Sequence, residues 1–132
     1  MAMHDIVARW LALWNGDLAA LDPLVAADVV THAVLIGQVA EAPLVGRDAL
    51  GGWIARTHAA MPALRFAIQV GPLIDGDQIA LRWRVAGDHG AARISFTGTD
   101  ILRIADGRIA EYWLNSDTGL MLAQMQAGGG PP

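Results

Sequence analysis

Apolar positions recur along this chain with two different periods, and the change of period divides it in two. Over residues 4–15, Ile6, Val7, Trp10, Leu13 and Trp14 fall three and four apart, which predicts an amphipathic helix. Asn15-Gly16 is a C-terminal stop. Asp17 is placed to cap a second, short helix over 18–26, and Asp22-Pro23 re-caps it part-way. Residues 29–36 are β-branched and apolar and predict a short strand. A loop carrying Gly37, Pro43 and Gly46 leads to a third helix over 47–61, with Leu50, Trp53, Ile54 and Met61 on its apolar side. Gly51-Gly52 costs that helix about 1 kcal/mol per glycine relative to alanine, so close packing against a neighbour is expected there. Pro62 ends it.

Beyond Pro62 the period is two. Leu64, Phe66, Ile68 and Val70 alternate with Arg65, Ala67 and Gln69; Ile79, Leu81, Trp83 and Val85 alternate with Ala80, Arg82 and Arg84. Ile94, Phe96, Leu102 and Ile104 alternate with Arg93, Ser95, Thr97 and Arg103, and residues 108–117 form a last strand. Asp75-Gly76, the stretch Gly87 to Gly90, and Asp106-Gly107 supply the turns between these strands. Leu120 to Gln126 adds a short closing helix. Helices followed by a meander of long antiparallel strands mean an α+β fold. A curved sheet wrapped over a few helices is a cone, and a cone of this size is partly hollow. One domain is expected over residues 1–127, with 128–132, a Gly/Pro run, as a flexible tail.

Composition narrows the chemistry. The 132 residues include no cysteine and no lysine; all nine positive side chains are arginine. Thiolate nucleophiles, disulfides, cysteine zinc sites, Schiff bases and a P-loop lysine are thereby excluded. A formal charge of −4 argues against a nucleic-acid partner. Mean hydropathy is high, +0.37, yet no apolar run approaches the ~18 residues of a membrane helix. The first residues do not read as a signal peptide, so a cytoplasmic protein with no membrane contact is expected. Apolar excess without a membrane span points to a cavity, a subunit interface, or both.

Asp100 is the sharpest candidate for chemistry. It shares its strand face with Ile94, Phe96, Leu102 and Ile104, whereas Arg93, Ser95, Thr97 and Thr99 occupy the other. Burial raises a carboxyl pKa by up to ~3–5 units, toward the range useful for a general acid or base. The other readings are an Asp paired with an arginine, or one turned outward by a β-bulge after Gly98. His32, in an apolar strand, is either a proton carrier or a hydrogen-bonded core histidine; His89 lies in a turn; neither His4 nor His58 is assigned a role. The histidine spacings match no metal motif. Trp10, Trp14, Trp53, Trp83 and Trp113 either fill a core or line a pocket for a flat apolar ligand. Arg82 and Arg84 point to solvent or a dimer partner if Trp83 is inside, and become anion donors if the opposite face borders the cavity. The last strand is equally open, with Glu111 and Trp113 on one face and Tyr112, Leu114 and Ser116 on the other.

Four segments, in this order, carry a family resemblance: WLALWNGDLAALDPLVAADVVTH, PLVGRDAL, IALRWRVAGDHG and DILRIADGRIAEYWLNSDTGL. Over about residues 4–126 the chain resembles the SnoaL-like polyketide cyclases, within the nuclear-transport-factor-2-like or ketosteroid-isomerase-like superfamily. The resemblance implies a cone-shaped α+β barrel with an apolar cavity, and a homodimer through the outer sheet face. It places Asp100 where the cyclases carry an acid/base Asp and the isomerases an oxyanion donor. His89 falls where a histidine often follows a short turn, although the loop after it is shorter here. The isomerases' base would fall near His32 or Ala33, where no carboxylate stands. Epoxide hydrolases of the limonene type need an Arg and two Asp; Arg84 matches, but Ala86 and Leu114 stand at the acid positions. The same matching turns Tyr112, Leu114 and Ser116 inward and Trp113 outward.

The expected function is therefore a cofactor-independent acid/base enzyme, with no metal, acting on a small apolar carbonyl compound of polyketide type by cyclisation or isomerisation. Asp100, His32 and His89 are its expected catalytic residues, and Trp14, Trp53, Phe66, Trp83, Tyr112 and Leu114 its substrate contacts. The alternatives are a non-catalytic domain that binds a hydrophobic ligand, and an epoxide-hydrolase-like enzyme.

Overall fold

The computed structural model describes residues 1–34, 38–40 and 42–129. Helix α1 (Met3–Trp14) buries Ile6, Val7, Trp10, Leu13 and Trp14, the stripe its periodicity predicts. Its end is tied to the sheet by Asn15, whose side-chain amide behaves like one more strand residue. Its Nδ2 donates to the Phe66 carbonyl at 3.1 Å and its Oδ1 accepts from the Phe66 N–H at 2.7 Å. This clamp sets Trp14 against Phe66, ring centroids 5.5 Å apart.

The helix expected over 18–26 is shorter. A 3-10 turn (Leu18–Ala20) and one turn of α2 (Leu21–Leu24) lead directly into β1 (Val25–His32), four residues earlier than the predicted strand. The strand begins earlier than its β-branched run because Val25 already pairs with Ile109 in the last strand. Asp17 makes no side-chain cap bond. Residues 35–37, part of the expected strand and loop, lie outside the described residues. The two-residue β2 (Leu44–Val45) precedes α3 (Arg47–Ala60). Both glycines of α3 have neighbours where a side chain would go. A Cβ on Gly51 would meet Leu21 Cδ2 at 2.6 Å, and one on Gly52 would meet the Arg56 guanidinium at 3.2 Å.

The period-two half forms a meander of β3 (Arg65–Asp75), β4 (Gln78–His89), β5 (Ala92–Ala105) and β6 (Arg108–Ser116). Strand β1 adds to β6 in parallel, giving the order β2-β1-β6-β5-β4-β3 in one open, curved sheet. Strand β4 runs through Gly87 and Asp88 to His89, so the turn is Gly90-Ala91 rather than the whole stretch 87–90. Gly87 serves as a close-approach residue, since a Cβ there would meet Leu64 Cδ2 at 2.9 Å. Asp106 and Gly107, with φ of 52° and 74°, make the type I′ turn that twists with the strands it joins.

Helix α4 (Thr118–Gly129) starts two residues earlier than predicted and runs on through Gly128 and Gly129. Asp117 Oδ1 caps it by accepting from the Leu120 N–H at 3.1 Å. Gln124 binds the Ser95 backbone through both its amide atoms, at 2.7 and 2.8 Å, as Asn15 binds Phe66. Gly128 packs on Ala92 with no room for a Cβ. The helices thus sit on the concave face of the sheet, in an α+β cone. No helix among the described residues is long and apolar enough to cross a membrane.

Candidate active site

Asp100 lies in the middle of β5, opposite Leu81 on one side and Leu114 on the other, and only 2 % of it is exposed. The β4–β5 register is unbroken from Gln78↔Arg103 to His89↔Ala92, so no bulge after Gly98 turns it outward. Among the described residues its partners are not arginines. Three neutral donors from three elements converge on the carboxylate. Trp10 Nε1–H (α1) donates to Oδ2 at 3.0 Å. Trp83 Nε1–H (β4) and Tyr112 O–H (β6) donate to Oδ1 at 2.9 and 3.1 Å.

The electrostatic outcome is a contest. Burial penalises the charged carboxylate and pushes its pKa up; the three donors stabilise the charge and pull it back. Burial wins, and the pKa settles at about 6. Burial and the neighbouring Asp100 charge raise Tyr112 well above its ordinary value near 10, so its hydroxyl keeps its proton and remains a donor. A carboxylate offers about four lone-pair positions, and three are taken here, two on Oδ1 and one on Oδ2. The remaining one, on Oδ2, is where a proton can be taken up.

Asp100 forms part of the wall of a cavity of about 310 Å3. All six predicted substrate contacts, Trp14, Trp53, Phe66, Trp83, Tyr112 and Leu114, line it as well. Four of the five tryptophans stand around this space. Their rings meet edge to face in a chain: Trp53 on Trp14 at 5.1 Å, Trp10 on Tyr112 at 4.7 Å, Phe66 on Trp83 at 5.3 Å. The Trp14 indole N–H is buried and has no hydrogen-bond acceptor among the described residues. Among the described lining residues, several are half-buried and only Val34, 55 % exposed, and Arg56 are exposed, which puts the opening on their side of the cavity.

Two of the three expected catalytic residues are not in this cavity. Thr31 pairs with Tyr112 and faces inward, so the next residue, His32, lies beside Trp113 on the outer face. There its ring stacks on Trp113 at 5.3 Å and Nε2 meets Glu111 Oε2 at 2.7 Å. That contact, with Arg103 bound to the other oxygen, holds the Glu111 carboxyl below its usual value. His89 is exposed at the end of β4, the long strand having carried it beyond the rim. Arg82 and Arg84 are also exposed on the outer face, where Arg82 binds Gln69 and Thr97. The alternation in β6 resolves with Tyr112 and Leu114 inside and Trp113 outside.

Sequence reasoning missed Trp10 as a partner of Asp100. The two are 90 residues apart, and nothing local distinguishes a tryptophan that donates from one that only packs. The pairing of Trp83 with Gly98 across β4 and β5 was equally hidden.

The SnoaL-like domain family matches residues 7–112. A comparison with curated proteins finds no match. Among solved structures, a loop-truncated variant of IdmH is 31 % identical over 92 % of this chain and 98 % of its own, with a TM-score of 0.79. Wild-type IdmH of Streptomyces antibioticus, a candidate polyketide cyclase, is 29 % identical over 92 % and 96 %, with a TM-score of 0.79. A protein from Catenulispora acidiphila with a ketosteroid-isomerase-like fold, bound to trimethylamine, is 27 % identical over 96 % and 93 %, again at 0.79. With the matched segment covering most of the sheet and α1, the chain belongs to the SnoaL-like domain family.

Proposed function

We propose that this protein is a cofactor-independent acid/base enzyme of the cyclase or isomerase type, acting on a small apolar carbonyl compound. The observation that carries this reading is Asp100: a carboxylate with a pKa of about 6, walled into an aromatic cavity, with one lone pair left over. At neutral pH most of it is ionised and can accept a proton, while its conjugate acid is strong enough to give that proton back. The charge is held by neutral donors that need not reorganise as it comes and goes.

In an aldol-type closure, Asp100 removes a proton from a carbon next to a carbonyl, leaving an enolate. The enolate carbon forms a bond to a second carbonyl carbon of the same molecule. The alkoxide produced takes the proton back from Asp100. Isomerisation uses the same first step and returns the proton to a different carbon. Trp10, Trp83 and Tyr112 position the carboxylate, and the aromatic wall excludes water from the enolate. The likeness to IdmH supports a polyketide-like substrate.

Epoxide opening fits less well, because Asp100 is the one carboxylate among the described lining residues and Arg84 stands outside. The alternative of a non-catalytic ligand-binding domain shares the cavity but predicts no proton transfer. The test is exchange in D2O of the protons next to the ketone of a flat aryl ketone, followed by NMR. Asp100→Asn should slow the protein-dependent exchange by about 10²–10⁴-fold. Exchange at an unchanged rate in a folded variant would sink the proposal.

A further inference from the structure

The cavity is apolar at its wall and anionic in its interior, and it has one more charge, at its opening. Arg56 stands there, exposed, and is the only cation among the described residues that line the cavity. It has no carboxylate, carbonyl or hydroxyl partner among them. A lone surface arginine is ordinarily just solvated, but the local structure gives this one a defined place. It is one turn beyond Gly52 on α3, and its guanidinium lies back over that glycine, where a Cβ would come within 3.2 Å of Nη1. The arginine head thus lies along α3 beside Gly52, where it borders the cavity. Trp53, between them in sequence, lines the same space.

We propose that Arg56 anchors an anionic end of the ligand, so that the cavity takes an apolar carbonyl compound bearing a carboxylate. The apolar body lies among the tryptophans, and the carboxylate meets the guanidinium at the opening. A single planar guanidinium matches a carboxylate monoanion in charge and in its paired hydrogen bonds, whereas a dianionic phosphate would call for a second cation that the described lining does not hold. The same placement sets direction: with the anion held outside, the carbonyl portion faces inward to Asp100, and like-charge repulsion from Asp100 disfavours the reverse. That orientation rests on the acid/base reading of Asp100; the anchor itself does not.

The experiment is calorimetric titration of the purified chain with 3-(2-naphthoyl)propionate and with its methyl ester, which removes the charge and adds one methyl group. Wild type should bind the acid about three- to tenfold more tightly than the ester, and the preference should shrink in high salt. Arg56→Gln should bring the two compounds to equal affinity while leaving the ester's affinity unchanged. Asp100→Asn should retain the preference for the acid, even where proton exchange is lost, so failure of the chemistry and failure of the anchor are read separately. Equal binding of acid and ester by wild type overturns the proposal, as do a preference that survives Arg56→Gln, an equal weakening of both compounds by that change, or no binding of either at millimolar concentration.

Discussion

Trp83 lies directly across from Gly98, and a Cβ at position 98 would overlap its six-membered ring. The missing side chain lets the indole lie flat over β5 and carry its N–H to Asp100, two residues along the same strand. Gly98→Ala should therefore be destabilising by about 2 kcal/mol, the cost of overpacking a tight site. In a Trp83→Leu background the same change should cost less than about 1 kcal/mol, because the clash is gone. Denaturant unfolding of the four proteins checks this; additive effects would show that the ring is not what Gly98 accommodates.

The pH dependence of turnover distinguishes the two protonation states of Asp100. As a base it is active when ionised, so kcat/KM should rise about tenfold per unit up to a pKa of about 6 and level off above it. A protonated Asp100 acting as an oxyanion donor would give the opposite limb, activity falling above that value. A profile of kcat/KM or of α-proton exchange from pH 4.5 to 8 decides between them.

Tyr112→Phe removes one donor from Oδ1 while keeping the ring that packs on Trp10. The ionised form of Asp100 loses a charge-assisted hydrogen bond, so its pKa should rise by about one unit and the rising limb of the profile should move up with it. A fall in rate with no movement of the limb would make Tyr112 a packing residue only.

Stability carries the same signature with a definite sign. Between the ordinary carboxylate value of 3.8 and the folded value of about 6, the folded chain binds a proton that the unfolded chain has released. Unfolding free energy thus falls as pH rises through that window, by about 3 kcal/mol in all, and is flat above it. Glu111, held low by His32 and Arg103, acts in the opposite sense at lower pH, but it is common to wild type and Asp100→Asn. The stability difference between those two proteins should accordingly shift by about 2 kcal/mol in favour of the Asn variant from pH 4 to pH 7, measured by denaturant unfolding. A difference that stays constant with pH would mean that Asp100 is not proton-binding in this range.

Periodicity along the chain divided the fold into its two halves and put Asp100 on the apolar face of β5, while the inward faces of β4 and β6 and the absence of a bulge at Gly98 were decided by the pairing of the strands. Periodicity reaches that far because side chains three or four apart share a helix face and alternate residues share a sheet face. The tryptophans could equally have filled a core, and it is the tertiary structure that sets four of them around a cavity. The beginning of β1 was shifted by four residues, since an apolar β-branched run looks alike wherever its pairing starts, and parallel pairing with β6 is set some 84 residues away at Ile109. That pairing also sent His32 outward onto Trp113, and the length of β4 carried His89 clear of the rim. Which donors hold Asp100, how far its pKa rises and where Arg56 stands relative to the cavity were decided only by the tertiary structure. A hydrogen bond between α1 and β5, or an opening between α3 and the end of β1, depends on how the sheet curves over the helices, and no spacing along the chain encodes that curvature locally.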